Sequence, residues 1–285
     1  MSRFRRLGIV GVGLIGGSLG LVARREKLAE EIVGVGRSQE NLDTALARGI
    51  LDRASTDASV LDGADLVVLA TPIGSLARMA GEIAPRLAPG AIVTDVGSVK
   101  SGVVESCTAA LGARARFVGG HPIAGTETSG AQAARIDLFA GARCVLTPNA
   151  TTDREALAGV RGLWESAGMD VVEMSAEEHD RILALTSHLP HVAAFALALA
   201  TRDAREAGGA DPLAFAGPSF RDMTRVASSS PEMWRDILLA NAASVGHGLE
   251  RFGARLEELG RAVREGDPDA LRSLLEDSRA LRRTL

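Results

Sequence analysis

Near its N-terminus the chain runs from a short apolar stretch, Leu7–Val10, directly into Gly11-Val12-Gly13-Leu14-Ile15-Gly16 and then into a helix-like segment, Gly17–Lys27. That order constrains the fold strongly, because it is the strand–turn–helix start of a dinucleotide-binding βαβ unit. The first glycine allows a tight turn, the second lets the backbone approach a pyrophosphate, and the third lets helix and strand pack closely. The helix N-terminus then offers free N–H groups and a positive dipole end to phosphates. Gly11, Gly13, Leu14, Ile15 and Gly16 are therefore the expected cofactor loop. A glycine-rich turn without a ligand is the alternative reading of the spacing alone.

The pattern continues. Further apolar, β-branched runs stand at Ile32–Val35, Leu66–Ala70, Ala91–Asp95, Arg116–Val118, Arg143–Leu146 and Met169–Glu173, with helix-like segments such as Ser38–Arg48 and Ser75–Arg86 between several of them. Nearly continuous apolar runs are what parallel strands buried on both faces require. Residues 1–174 are expected to form an α/β domain, a Rossmann-like doubly wound sheet.

After Glu173 the character changes, and residues 175–285 read as an all-α domain. Ser175 with Glu178 forms a capping box. The helix it opens is apolar all round from Val192 to Leu199, which predicts burial on every side. Ser230-Pro231 and Asp267-Pro268 each read as N-cap and first helical residue. A helical domain this small, with one helix apolar all round, predicts a homodimer through this domain; packing within its own chain is the alternative.

The 285 residues include 46% hydrophobic residues, ample for a sizeable core. The formal net charge of −4 argues against a nucleic-acid or membrane-surface partner. Cys107 and Cys144 lack metal or redox spacing and fit free thiols in a reducing cytoplasm. The basic start, Arg3 to Arg6, leads into a glycine-broken apolar run without a cleavage site, so no export signal is read there. The run from Val192 to Ala200 is too short to span a bilayer.

The second strand ends Val33-Gly34-Val35-Gly36-Arg37-Ser38. An NAD site commonly has a carboxylate near Gly36 for the ribose 2′-hydroxyl. Its replacement by glycine, with Arg37 and Ser38 following, favours NADP over NAD. Thr71-Pro72, at the carboxyl end of a strand, is expected to line the nicotinamide side.

Two segments far apart in sequence, His121-Pro122-Ile123-Ala124-Gly125 and Ser187-His188-Leu189-Pro190-His191, hold three of the five histidines beside glycines, prolines and a serine. Together with D-V-G-S-V-K at 95–100, G-H-P-I-A-G-T-E at 120–127, F-R-D-M-T-R-V-A at 220–227 and S-P-E-M-W-R-D-I at 230–237, they resemble the prephenate/arogenate (cyclohexadienyl) dehydrogenase family of tyrosine biosynthesis. The resemblance spans residues 7 to about 241.

The resemblance implies NAD(P)-dependent oxidative decarboxylation of prephenate or arogenate without a metal. It implies His121 as the base that accepts the hydroxyl proton, Ser98 as the group that orients it, and Arg225 as the cation that holds the ring carboxylate. His191 and Ser187 fall on the substrate side, and Arg221 is expected to pair with Glu127 across the pocket mouth. Without the family, His121 reads equally as a histidine satisfied beside a proline turn, and Arg225 as a salt-bridge partner of Asp222. His188 is expected to be structural, and His179 and His247 to be surface or core histidines. No regulatory or mutase domain is expected beside this pattern. A β-hydroxyacid dehydrogenase is disfavoured because no lysine occurs from Ser175 onward. An aminodeoxyprephenate dehydrogenase and a non-catalytic NADP sensor remain as rivals.

Overall fold

The computed structural model describes residues 4–125 and 128–284. Its first part is one eight-stranded sheet built from β1 (Phe4–Val10), β2 (Ala29–Val35), β3 (Arg53–Ser55), β4 (Leu66–Leu69), β5 (Ala91–Asp95), β6 (Ala115–Pro122), β7 (Arg143–Thr147) and β8 (Asp170–Glu173), in the order β3-β2-β1-β4-β5-β6-β7-β8. It is flanked by α1 (Leu14–Arg25), α2 (Gln39–Ala47), α3 (Leu76–Ile83), α4 (Ser101–Leu111) and α5 (Arg154–Ser166). Successive side chains feed opposite faces: Ile9 belongs to one core with Leu19, Leu146 and Trp164, and Val10 to the other with Val67, Val93 and Phe117. Burial on both faces is why the strands are apolar without alternation.

The sheet departs from expectation in three places. β3 is an edge strand of three half-exposed or exposed residues, too short and too polar to carry an apolar signal. β7 runs antiparallel to β6, with β8 parallel to β7, so the last two strands reverse the direction of the other six. β6 continues past Val118 through two glycines to Pro122. Glycine has low strand propensity, but space requires it here. A Cβ at Gly119 would lie 2.5 Å from Thr147 Oγ1, and one at Gly120 would lie 2.9 Å from the Asp95 carbonyl oxygen. The extension places His121 at the carboxyl end of the sheet.

From Ala176 the chain is helical: α6 (Ala176–Leu183), one π-helical turn (Ala184–His188), α7 (Leu189–Glu206), α8 (Pro218–Thr224), α9 (Pro231–Ala240), α10 (Ala242–Glu265) and α11 (Pro268–Arg282). The hydroxyl of Ser175 accepts from Glu178 N, that of Ser230 from Met233 N, and the Asp267 carboxylate caps α11, as the capping patterns required. The π turn admits an extra residue per turn just before Pro190, whose missing N–H would interrupt a regular helix.

The expectation that Val192–Leu199 is buried on all sides is not met within one chain. Only Ala194 there is buried, and Leu197 and Leu199 are exposed. The apolar surface of α7 exceeds what its own chain can cover. By length and composition the stretch Ala176–Glu206 could cross a membrane. Its polar residues His179, Asp180 and His188 are instead buried against the sheet domain and α10.

Candidate active site

Three elements meet at the carboxyl end of β5 and β6. His121, on β6, is buried, and its Nδ1 lies 2.8 Å from Nε2 of His179 on α6. Nδ1 of His179 lies 2.8 Å from Oδ1 of Asp180. The Asp180 carboxylate also accepts from Lys100 N at 2.7 Å and Ser101 N at 2.8 Å, the amides that open α4. The Asn241 side chain donates to the Asp180 carbonyl at 2.8 Å. Burial alone would raise the Asp180 carboxyl, but the hydrogen bonds from His179, Ser101 and Lys100 hold it below the ordinary carboxylate range.

This chain sets the tautomers. A carboxylate can only accept, so His179 Nδ1 carries a proton and donates it to Asp180. With both rings neutral, His179 Nε2 then accepts from His121 Nδ1–H, which leaves the lone pair on His121 Nε2. Burial pushes His121 well below the ordinary imidazole range; the neighbouring His179, Lys100 and His188 reinforce it and Asp180 opposes it. A ring held unprotonated with one free nitrogen is the arrangement a general base needs.

Beneath it lies a buried ion pair. Lys100 and Asp95 are both inaccessible to solvent, and the Lys100 ammonium bonds Asp95 and donates to the Gly120 carbonyl at 2.8 Å. Asp95 accepts in addition from Gly97 N at 2.8 Å and Gly120 N at 3.1 Å. Lys100 thus grips the residue before His121 with its side chain and the acid of the histidine chain with its backbone.

His191 is half-buried on α7, stacked on Trp234 with ring centroids 3.6 Å apart, and its Nδ1 lies 3.0 Å from the Ser187 carbonyl oxygen. It is the backbone of Ser187, rather than its hydroxyl, that meets His191. Burial lowers the His191 pKa, the Ser187 carbonyl opposes this, and Arg225 adds to the lowering, so Arg225 lies within electrostatic reach. His188 is buried, its Nδ1 3.2 Å from Asn241 Nδ2. His247 is exposed on α10.

Ser98 is half-buried in the turn between β5 and α4. The partner on His121 Nδ1 is His179. Arg221 is exposed on α8, and its expected partner Glu127 lies outside the described residues. Sequence reading missed His179, Asp180, Lys100 and Asn241. His179 and Asp180 sit among Glu177, Glu178 and Arg181, so α6 reads there as a solvated face.

A cleft of about 1340 Å³ beside the sheet is lined by Gly11, Gly13, Arg37, Ser38, Asn41, Thr71 and Pro72, among others. Gly11 has φ +95°, and a Cβ there would lie 2.4 Å from the Ala70 carbonyl oxygen. A Cβ at Gly13 would meet nothing within 4 Å. The first glycine is thus required by the turn, and the second faces open space that a diphosphate can enter. Leu14, Ile15 and Gly16 sit in the first turn of α1 and do not line the cleft; Gly16 serves close packing, because a Cβ there would lie 2.2 Å from the Gly11 carbonyl oxygen. Arg37 is exposed, and the Ser38 hydroxyl accepts from Asn41 N as the cap of α2. The cleft therefore fits a dinucleotide.

Residues 19–173 match the family model described as prephenate dehydrogenase, nucleotide-binding domain, and residues 175–277 that described as prephenate dehydrogenase, dimerization domain. The chain belongs to the prephenate dehydrogenase family. Prephenate dehydrogenase of Bacillus subtilis is 39% identical over 255 residues, which are 88% of this chain and 67% of that protein. Cyclohexadienyl dehydrogenase of Zymomonas mobilis is 36% identical over 289 residues, covering 100% of this chain and 97% of that one. The structure of prephenate dehydrogenase from A. aeolicus in complex with hydroxyphenyl propionate and NAD+ superposes with a TM-score of 0.90 at 36% identity, over 98% of both chains. Synechocystis arogenate dehydrogenase gives 0.82 at 33% identity, over 98% of this chain and 99% of that one. As a member of the prephenate dehydrogenase family, the protein is an oxidoreductase that works with a nicotinamide dinucleotide.

Proposed function

We propose that the protein catalyses the oxidative decarboxylation of prephenate, arogenate or both, giving 4-hydroxyphenylpyruvate or tyrosine, with His121 as general base. The observation that carries this reading is the chain Asp180–His179–His121, which leaves His121 Nε2 as a proton acceptor at the carboxyl end of the sheet. When bound in the cleft, a nicotinamide dinucleotide would supply the acceptor for the hydride on the ring carbon that bears the hydroxyl. His121 Nε2 takes the hydroxyl proton as that carbon becomes carbonyl-like. Arg225 holds the para carboxylate until its C–C bond breaks; the electron pair enters the ring, CO2 leaves, and His121 returns its proton to the phenolate oxygen of the aromatised product. Ser98 helps to orient the His121 ring, and His191 and Ser187 bound the substrate side.

Residues 1–174 hold the cofactor, with Gly11 and Gly13 under its diphosphate, Leu14, Ile15 and Gly16 forming the helix start, and Thr71 and Pro72 beside the nicotinamide. NADP is favoured over NAD, because Arg37 and Ser38 line the cleft where NAD enzymes place a carboxylate. Residues 175–285 carry the substrate wall and the contact with a second copy, making a homodimer. Both cysteines are buried free thiols, in keeping with the cytoplasm.

The test is reduced-nicotinamide absorbance with purified protein in four pairings, prephenate or arogenate with NAD or NADP. Turnover in any pairing supports the reaction, and the ratios rank substrate and cofactor. Silence in all four with cofactor binding intact overturns it. A second reading is favoured by one relative: 4-amino-4-deoxyprephenate dehydrogenase of Streptomyces pristinaespiralis is 30% identical over 230 residues, 78% of this chain and 72% of that protein. That amino analogue is the third substrate to try.

A further inference from the structure

The segment Ser230–Ile237 is not absorbed by the catalytic chain, yet two consecutive residues of α9 face two different sites. Trp234 is buried with Ile237 against Val99 and stacks on His191. The next two residues, Arg235 and Asp236, lie on the wall of the nucleotide cleft beside Gly74, Ser75 and Arg78. They come from the helical domain, whereas the rest of that wall belongs to the sheet domain.

Arg235 is pre-oriented. Asp236 Oδ1 accepts from its Nε at 2.9 Å and its Nη2 at 2.7 Å, and Nη1 takes no part in that pairing. The Asp236 side chain is 26% exposed and that of Arg235 64%. A Cβ at Gly74 would lie 3.3 Å from Asp236 Oδ2, so glycine at 74 lets the Arg–Asp pair come this close to the cleft.

Three arginines line the cleft, Arg37, Arg78 and Arg235. Arg37 follows β2, on the side of the 2′-position of a bound nucleotide, and Arg78 pairs with Glu82 along its own helix. Arg235 stands on the other wall, beyond the turn that follows β4. A diphosphate seated over Gly11–Gly13 lies between the walls and needs a cation where the helix N-terminus no longer reaches, since a helix end acts only over its first turn. A guanidinium fork suits it.

We propose that Arg235 binds the diphosphate of the cofactor, so that the helical domain contributes directly to cofactor affinity. This rests on the nucleotide cleft assigned above and not on the identity of the substrate. Isothermal titration of NAD, NADP and ADP into wild type, Arg235→Gln and Arg235→Lys tests it without any turnover. Arg235→Gln is expected to weaken all three ligands about 5- to 20-fold, the loss of one charge-assisted contact. Arg235→Lys recovers part of that, and the wild-type affinity falls more steeply with salt than that of Arg235→Gln. Unchanged affinity in Arg235→Gln overturns the proposal, as does a loss confined to NADP, which would move Arg235 to the 2′-phosphate. A wild type that binds none of the three overturns the cleft reading itself, a result distinct from either.

Discussion

His121 Nδ1 and His179 Nε2 are 2.8 Å apart although the two residues come from different domains, one from the end of β6 and one from α6. The base is therefore assembled by domain packing. Replacing His179 by Gln leaves a side chain that cannot both accept from His121 and donate to Asp180 with the same geometry. The expected outcome is a fall in kcat of about 10- to 100-fold, the range for a lost orienting partner, with little change in cofactor KM. Steady-state kinetics decide it; an unchanged kcat would remove His179 from the mechanism.

The pH profile follows from the burial of His121. Its protonation is pushed well below the ordinary 6.5, so the base form persists as the medium becomes acidic. The acid limb of kcat/KM is expected below pH 6.5. A limb centred at or above that value would show that His121 is not the titrating base, or is not buried when it works.

Much of this was legible in the sequence, and the rest was hidden for physical reasons. The glycine loop, β1, β2, β4 and β5 announce themselves because each is apolar on both faces. β7 gave no sign of its reversed direction, since pairing direction leaves no mark on a five-residue apolar run. Ser187, His191 and Trp234 stood in recognisable segments. His179 and Asp180 did not, because a helix with two glutamates before them and an arginine after looks solvated until a second domain covers it. Lys100 carried a usable signal: of 32 basic residues only Lys27 and Lys100 are lysines. A chain that writes arginine almost everywhere kept a compact ammonium where it must fit between Asp95 and the Gly120 carbonyl.

That ammonium is the basis of a stability prediction. Lys100→Met leaves the Asp95 carboxylate buried and uncompensated, which costs about 3–5 kcal/mol. The double variant Asp95→Asn/Lys100→Met removes both charges and is expected to recover a substantial part of that loss. Urea unfolding of the three proteins gives the comparison; equal stability of the single and double variants would mean that Asp95 finds another partner or a proton.

Acid should weaken the fold through His188. Burial, opposed by Asp180, puts its pKa at about 4, against an ordinary value of 6.5. A folded-state pKa below the unfolded one means that the unfolded chain binds the extra proton first. Stability is therefore full above pH 6.5 and declines as pH falls from there towards 4, by on the order of 3 kcal/mol for this group. His188→Gln, which cannot take up a proton, should flatten that part of the stability–pH curve measured by urea unfolding. An equal slope in the variant would assign the acid loss to other groups.

The exposed apolar face of the helical domain makes the last prediction. Leu249, Leu256 and Val263 follow one another at seven-residue intervals along α10 and are 40%, 53% and 64% exposed. Seven residues are two helical turns, so the three form one stripe, and α7 adds Leu197 and Leu199 to the unpartnered surface. Apolar stripes of this kind bury against another helix, and the helical domain matches a dimerization model. Sedimentation equilibrium should find twice the chain mass of 29.6 kDa. Leu256→Glu with Val263→Glu puts two carboxylates on that stripe, each far more costly to bury than the apolar side chain it replaces. The double variant is expected to sediment as a monomer at micromolar concentration, with its affinity for the nicotinamide dinucleotide changed little. A double variant that remains dimeric would place the contact elsewhere, with the surface of α7 as the next face to charge.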